Sequence, residues 1–317
     1  MSDPFVDFHA HFVTDDYVAA ARQPGSPAAR QAGHDVPDHM PRWPSWSPEE
    51  HLALMDEVGI QRSMLSISSP GIRFGDDELT RDVARLVNDA GISAARRHPD
   101  RFGLFASLPF PDIDGTLAEI ERLHESAGVT GYSVMSNADG VYLGDPRYEP
   151  VWQALDRRRA ILFVHPTAPP NAGLVSLGRP EPMIEYLFDS ARSFIDLIFA
   201  GVLLRYPEVR FIATHSGGVL PLLTERAERF RGSSVGYGDG RPEESVRVQL
   251  SRLWFDCAVL PLPSGLPTLA SIVGTERLVL GTDFCFARQP SVRAMMAELA
   301  ADGRWFHLFR NNAKSLA

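Results

Sequence analysis

The 317-residue sequence predicts an α/β fold, a distorted eight-stranded (β/α)8 TIM barrel with an insertion after the first strand. Short β-like runs recur eight times, and each is followed by a polar segment whose apolar residues have helical spacing. The length suits one barrel domain. The rival fold is an open doubly wound sheet, but no GxGxxG pattern follows the first strand. A closed barrel therefore fits the sequence best.

The elements follow one another in regular order along the chain. The predicted strands are 5–10, 62–67, 102–107, 131–135, 160–165, 209–214, 252–257 and 278–282. The predicted helices are 48–58, 79–97, 115–127, 149–158, 183–204, 219–231 and 291–301. Residues 13–47, rich in Pro, Gly and Trp, are too long for an ordinary barrel loop. We expect them to form a lid-like insertion within a single domain spanning 1–317.

Composition narrows the class of protein. A net charge of −9 argues against a general nucleic-acid binder, which would show a basic face. No apolar run approaches the roughly 18 residues that a transmembrane helix needs. The two cysteines provide no disulfide framework, and the amino terminus does not resemble a signal peptide. These features predict a cytoplasmic protein that binds neither nucleic acid nor a membrane.

The first strand, in the stretch FVDFHAHF, carries two histidines two residues apart. Alternate residues of a strand point to the same side, so His9 and His11 project together with their Cα atoms ~6.6 Å apart. Two imidazoles at this spacing can converge on one metal ion. They can also be hydrogen-bonded core histidines, and this strand alone leaves both interpretations open.

Three further strands end in a polar residue of the same chemistry. The fifth strand ends at His165, the sixth is followed by His215, and the eighth is followed by Asp283. The carboxyl ends of all strands of such a barrel lie on one face, where active sites are found. Imidazole nitrogens with a carboxylate suit Zn²⁺, and Mn²⁺ or Fe²⁺ can also bind them. The combined pattern favours a metal site.

The order HxH…H…H…D, with the stretches DFHAHF, ILFVHPTAPP, IATHSGG and GTDFCF, resembles the amidohydrolase superfamily. Within it, the chain is similar to the "amidohydrolase 2" branch of aminocarboxymuconate-semialdehyde decarboxylase and the aromatic-acid decarboxylases. HPTAPP and YLGDP most resemble the 6-methylsalicylate decarboxylase type. The resembling stretches extend from end to end of the chain.

The resemblance implies a single divalent metal ion, because the fourth strand lacks the lysine of binuclear members. Zn²⁺ is the preferred ion and Mn²⁺ the alternative. The implied ligands are His9, His11, His165 and Asp283. His215 is then a catalytic group beside the metal, able to accept or donate a proton. Asp283 can serve as ligand, as proton donor to the ring, or as both.

The resemblance also indicates substrate contacts. Relatives place an arginine eleven residues after the sixth-strand histidine and supply it across a dimer interface; Arg226 stands there, which implies a homodimer. His51 replaces a second carboxylate-binding arginine, a departure that puts the semialdehyde activity in doubt. Trp46 and Phe286 can form an aromatic wall around a flat substrate. Each residue also has a purely structural interpretation. Arg226 can be an exposed helical charge, His51 a surface histidine, and the two aromatic residues part of the core.

These residues predict non-oxidative decarboxylation of a small aromatic acid of the 2-hydroxybenzoate type, such as 6-methylsalicylate giving 3-methylphenol. The alternative is hydrolysis of a lactone, ester or amide, or hydration, by a metal-activated water. A third reading is a metal-stabilised binding protein without catalysis. The absence of a dinucleotide fingerprint fits chemistry without a redox cofactor.

Overall fold

The computed structural model describes residues 5–22, 43–231, 244–259 and 262–316. Eight parallel strands form one sheet in the order β1-β2-β3-β4-β7-β8-β9-β10, and a small antiparallel hairpin, β5-β6, follows β4. The strands are β1 Phe5–His11, β2 Ile60–Ser66, β3 Phe102–Ser107, β4 Val129–Met135, β5 Asn137–Ala138, β6 Val141–Tyr142, β7 Ile161–His165, β8 Arg210–Ala213, β9 Trp254–Asp256 and β10 Leu278–Val279.

The sheet curls until its first and last strands meet. Phe8 N–H donates to the Leu280 carbonyl at 2.9 Å, and Asp7 and Ala10 form parallel bridges to Leu280 and Phe284. The predicted (β/α)8 barrel is therefore confirmed. The last strand is shorter than predicted, because beyond Val279 the chain leaves regular pairing to lie against β1.

Helices fill the connections and surround the sheet. They are α1 Asp15–Ala21, α2 Pro48–Val58, α3 Asp77–Arg97, α4 Ile113–Leu123, α5 Glu149–Arg157, α6 Ala172–Val175, α7 Glu185–Phe199, α8 Val202–Arg205, α9 Leu220–Arg231, α10 Val246–Leu250, α11 Gly265–Val273, α12 Gln289–Ala301 and α13 Gly303–Leu316. None of them, within the part of the chain described, combines the length and apolar character needed to cross a membrane.

One predicted helix needs correction, and one further helix is added. The segment 183–204 was predicted as one helix, but α7 ends at Phe199 and α8 begins at Val202. Gly201 lies between them with φ of +71°, a left-handed conformation that interrupts helical hydrogen bonding. The carboxyl-terminal helix α13 was not predicted. Its Ala313 and Leu316 are buried against the barrel interior.

The interior of the barrel is filled by large side chains rather than left as a pore. Phe105 and Phe163 stack inside it with ring centroids 5.3 Å apart, among buried residues of the other strands. Phe163 also contacts the ring of His9, centroid to centroid 4.9 Å. This packed layer forms an apolar floor directly beneath the histidines at the strand ends.

Part of the predicted insertion 13–47 is described. It contains α1, where Tyr17 is buried and donates its hydroxyl hydrogen to the Gly71 carbonyl at 2.7 Å. The Trp43 ring packs at the edge of Tyr17, 5.2 Å between centroids. Residues 23–42 lie outside the described residues, so the lid-like role of the insertion stays a prediction.

Candidate metal centre

The structure brings the five predicted strand-end residues together at one point. His9 Nε2 and His11 Nε2 are 3.0 Å apart, and Asp283 Oδ1 lies 3.2 Å from the latter and 3.5 Å from the former. One potential ligand atom from each of His9, His165, His215 and Asp283 lies within 4.8 Å of the others. By geometry alone, His215 could therefore also be a metal ligand, in addition to the predicted ligand His11.

The loop after β10 aims Asp283 at the histidines. Asp7 accepts hydrogen bonds from the Thr282 hydroxyl at 2.6 Å and the Thr282 N–H at 3.0 Å. Asp283 itself donates its N–H to the His9 carbonyl at 2.8 Å and has φ of +60°. Gly281 permits this close approach, since a Cβ there would be 2.8 Å from the His9 Cβ. β1 and the loop are thus tied together across 275 residues of sequence.

Each of the three imidazoles from β1 and β7 has an acceptor oxygen beside its Nδ1 atom. The pairs are His9 with Asp256 Oδ1 at 3.0 Å, His11 with the Ser66 hydroxyl at 3.0 Å and its carbonyl at 3.3 Å, and His165 with the Pro166 carbonyl at 2.8 Å. With the proton assigned to Nδ1 in each ring, all three Nε2 atoms carry a free lone pair.

The charge state of the cluster calls for a cation. Burial, together with the neighbouring imidazoles, holds the pKa values of His9 and His165 well below the usual histidine range. Burial would raise the pKa of Asp283, but the adjacent side chains of His11, His9 and His215 hold it at about 2. Neutral nitrogen lone pairs and an ionised carboxylate then face one another, which is repulsive without a positive charge between them. The donor set fits one divalent ion such as Zn²⁺ or Mn²⁺.

Asp256, at the end of β9, was missed by the sequence analysis. Its Oδ1 accepts hydrogen bonds from the His9 ring, from the His215 N–H at 3.1 Å and from the Ala258 N–H at 3.1 Å. Burial raises its pKa to about 7 against the opposing effect of His215. The signal that could have found it is the one used elsewhere, a polar residue closing an apolar strand.

His215 lies in a turn built from unusual backbone conformations. His215, Ser216, Gly217 and Gly218 all have positive φ. At Gly218 a Cβ would approach the Leu187 carbonyl oxygen to 2.3 Å, so the turn fits against α7 only with glycine there. This geometry moves the His215 ring to the rim of the cluster, where it is partly exposed.

A cavity of about 950 Å³ opens above the cluster. His165, His215 and Asp283 contribute to its lining, and most of the remaining surface is apolar, including Leu187 and Phe286. Its size accommodates a small aromatic molecule. The candidate metal centre thus forms part of the cavity wall.

The predicted substrate contacts are placed in three different ways. Phe286 lines the cavity, with its ring centroid 5.5 Å from that of His11. Arg226 is exposed on α9 and does not line its own chain's cavity; its guanidinium lies 5.2 Å from the Phe230 ring. His51 and Trp46 do not line the cavity; His51 is buried, and Trp46 packs against the hydrophobic core.

His51 is a buried histidine with a hydrogen-bond partner. The Trp46 indole N–H donates to His51 Nδ1 at 3.1 Å, and the Phe284 ring lies 4.7 Å away between centroids. Burial lowers the pKa of His51 to about 3. The Nδ1 lone pair of His51 thus accepts a hydrogen bond from Trp46, in contrast to the Nε2 lone pairs at the candidate metal centre.

Comparison with known proteins agrees with this architecture. A family model described as amidohydrolase matches residues 6–308. Decarboxylase macB of Penicillium terrestre is 30% identical over 94% of this chain and 90% of its own length. A 6-methylsalicylic acid decarboxylase of Penicillium expansum is 29% identical over 88% of this chain and 84% of its own.

A solved structure has the same fold. It is a dihydroxybenzoic acid decarboxylase from Polaromonas with bound manganese and the inhibitor 2-nitroresorcinol, superposing with a TM-score of 0.78 at 20% identity over 100% of this chain and 97% of its own. The match of the family model over nearly the whole chain shows that this protein belongs to the amidohydrolase family, in its amidohydrolase 2 branch.

Proposed function

We propose that the protein is a metal-dependent carboxy-lyase that decarboxylates a small aromatic acid of the 2-hydroxybenzoate type without a redox cofactor. The observation that carries the proposal is the convergence of Nε2 lone pairs and an ionised carboxylate beneath a largely apolar cavity of about 950 Å³. The relatives named above, decarboxylases of ring acids among them, support the same reaction. The specific reaction we propose is 6-methylsalicylate to 3-methylphenol.

His9, His11, His165 and Asp283 would hold the ion in this proposal. When bound, the ion acts as a Lewis acid that orients the acid and stabilises its developing negative charge. Zn²⁺ is the ion proposed, with Mn²⁺ as the alternative because the Polaromonas protein binds it. Asp256 fixes the orientation of the His9 ring by accepting its Nδ1 hydrogen.

Two cavity-facing groups can hold the proton that the reaction needs. Asp283 and His215 both line the cavity, and either would accept the phenolic hydrogen as the substrate binds. The same proton then passes to the ring carbon that bears the carboxylate. The bond from that carbon to the carboxylate breaks, carbon dioxide leaves, and the electron pair restores the aromatic ring. The phenolate product recovers a proton from solvent.

Phe286 is the proposed aromatic wall for the ring, because it lines the cavity beside His11. His51 and Trp46 are left out of the proposed substrate site, because neither reaches the cavity.

A homodimer, with Arg226 serving the partner's cavity, is the proposed assembly in the cytoplasm. Two observations support it: Arg226 is exposed and does not line its own cavity, and the segment 174–188 exposes large apolar side chains. They are Leu174, Val175, Leu177, Met183, Ile184 and Phe188. Apolar surface of this extent is typical of interfaces. Replacing Arg226 with Ala should raise KM about 10-fold without loss of metal, and an unchanged KM would contradict the proposal.

Product analysis tests the function directly. Protein reconstituted with Zn²⁺ or with Mn²⁺ is incubated with 6-methylsalicylate, and 3-methylphenol is sought by chromatography, with chelated protein as control. Formation of the phenol only in the metal-loaded samples supports the proposal. Failure with every 2-hydroxybenzoate tested, combined with hydrolysis of a phenyl ester or aromatic lactone by the same samples, would replace it with metal-dependent hydrolysis.

A further inference from the structure

Arg288 stands where the large cavity meets solvent. It is the sole arginine or lysine among the described side chains that line this cavity, and it is exposed. The lining is otherwise largely apolar away from the candidate metal centre. An anion entering past Arg288 therefore meets a positive charge of this chain before it reaches the histidines.

The guanidinium of Arg288 pairs with no carboxylate of the described residues. Other arginines of the barrel are ion-paired: Arg293, five residues along, donates two hydrogen bonds to Glu57 at 2.7 Å, and Arg192 pairs with Asp189 at 2.7 Å. Arg288 has no side-chain hydrogen bond or ion pair with any residue in the described ranges. Its charge is thus available to a ligand.

The backbone holds Arg288 at a fixed place relative to the candidate metal centre. Its carbonyl accepts hydrogen bonds from the N–H groups of Ser291 at 2.8 Å and Val292 at 3.1 Å, at the start of α12. One residue earlier, the Ala287 N–H donates to the Asp283 carbonyl at 2.7 Å. A short hydrogen-bonded turn therefore joins the cavity-rim cation to the carboxylate beneath it.

The reaction chemistry decides what such a cation can do. The carboxylate of the unbound substrate is negatively charged, and this charge is lost from the carboxylate as carbon dioxide forms. A cation held tightly on it throughout would stabilise the starting acid more than the transition state and would slow the chemical step. A solvated cation at the rim instead attracts the anion on arrival, which matters for a chain of net charge −9 that repels anions at long range.

We propose that Arg288 is a substrate-capture residue, which attracts and pairs with the carboxylate of the incoming ring acid at the rim of the cavity. The proposal rests on the proposed function, because it takes an anionic aromatic acid as the substrate. It assigns Arg288 to binding rather than to the bond-breaking step.

The test compares Arg288→Gln with the matched control Arg85→Gln. Arg85 is exposed on α3, has no side-chain partner among the described residues, and does not line the cavity. With 6-methylsalicylate as substrate, Arg288→Gln should raise KM about 5-fold and leave kcat within about 2-fold. The decrease of kcat/KM with added salt should also be weaker than in the wild type. Arg85→Gln should change neither KM and kcat nor the salt dependence of kcat/KM.

Two inhibitors separate charge from shape. Benzoate keeps the carboxylate, and 3-methylphenol is neutral. Arg288→Gln should weaken inhibition by benzoate about 5-fold and leave inhibition by 3-methylphenol unchanged. Equal effects on both inhibitors, or a fall in kcat with KM unchanged, would overturn the proposal.

Failure of the proposed function is distinguishable from failure of this inference. If no acid is turned over, calorimetric titration of metal-loaded protein with 2-hydroxybenzoate still measures capture. A dissociation constant about 5-fold weaker in Arg288→Gln than in Arg85→Gln supports capture by Arg288, whatever the reaction is. Equal dissociation constants in the two variants refute it.

Discussion

His9 and His51 are both almost completely buried, and burial lowers the pKa of each below the usual histidine range. Their ring nitrogens differ. His9 Nε2 lies 3.0 Å from His11 Nε2, and with the ring protons assigned to Nδ1 two lone pairs face each other. His51 Nδ1 accepts a hydrogen bond from the Trp46 indole. Burial and a low pKa therefore do not identify a functional histidine here; convergent, unsatisfied lone pairs do.

Removing one imidazole of the cluster should have the largest effect on metal binding and activity. His11→Ala should abolish stoichiometric metal binding and lower decarboxylation at least about 1,000-fold, because the ion supplies several kcal/mol of charge stabilisation. Metal content by elemental analysis and product formation by chromatography measure the two effects. Returning metal to chelated wild-type protein should restore activity, and the same addition to the variant should not. Full metal occupancy in an active variant would remove His11 from the proposed ligand set.

Asp256→Asn addresses the support of the cluster rather than the cluster itself. The amide cannot give the same charged acceptor to the His9 ring and to two backbone N–H groups. We expect metal affinity to fall about 10- to 100-fold, as measured by competition with a chelator. Asp189→Asn is the matched control, since Asp189 is equally buried but pairs with Arg192. If both variants lose metal affinity equally, a general loss of stability is the cause.

His51→Leu should leave metal content and kcat/KM within about 2-fold, because His51 does not line the cavity. At pH 7 the change should cost about 1 kcal/mol, since the Trp46 N–H loses its acceptor. A KM increase of about 10-fold or more at unchanged stability would return His51 to the substrate site.

The pH dependence of stability gives the smallest but most specific test. The pKa of His51 is about 3 in the folded protein and about 6.5 when unfolded, so below pH 6.5 only the unfolded state takes up the proton. The free energy of unfolding of the wild type should therefore decrease as the pH is lowered from 6.5 to 3, and His51 contributes up to ~1.4 kcal/mol of this decrease per pH unit. His9 and His165 titrate in both proteins, so the difference between wild type and His51→Leu in urea unfolding isolates His51. That difference should shrink or reverse in sign from pH 7 to pH 5; a constant difference would contradict the assigned pKa.

The sequence predicted the barrel and the meeting of His9, His11, His165, His215 and Asp283. The reason is geometric: parallel strands in a closed barrel bring all their carboxyl ends to one face, so polar residues that close apolar strands meet there whatever their separation in sequence. The period of two along β1 likewise sends both of its histidines inward. Both features follow from strand geometry and barrel topology, so the pattern of residues in the sequence is enough to predict them.

Other features depended on neighbours that are distant in the chain. His51 follows an ordinary helical pattern, and only packing against Trp46 and Phe284 makes it a core residue. Asp256 acquires its role from His9, 247 residues away. Gly201 could have been tolerated within a helix, and its left-handed conformation emerged only from the fold. The charge of Arg288 is available because no described carboxylate reaches it, a fact about the space around the side chain. Periodicity records which face a residue occupies; three-dimensional packing alone decides what that face meets.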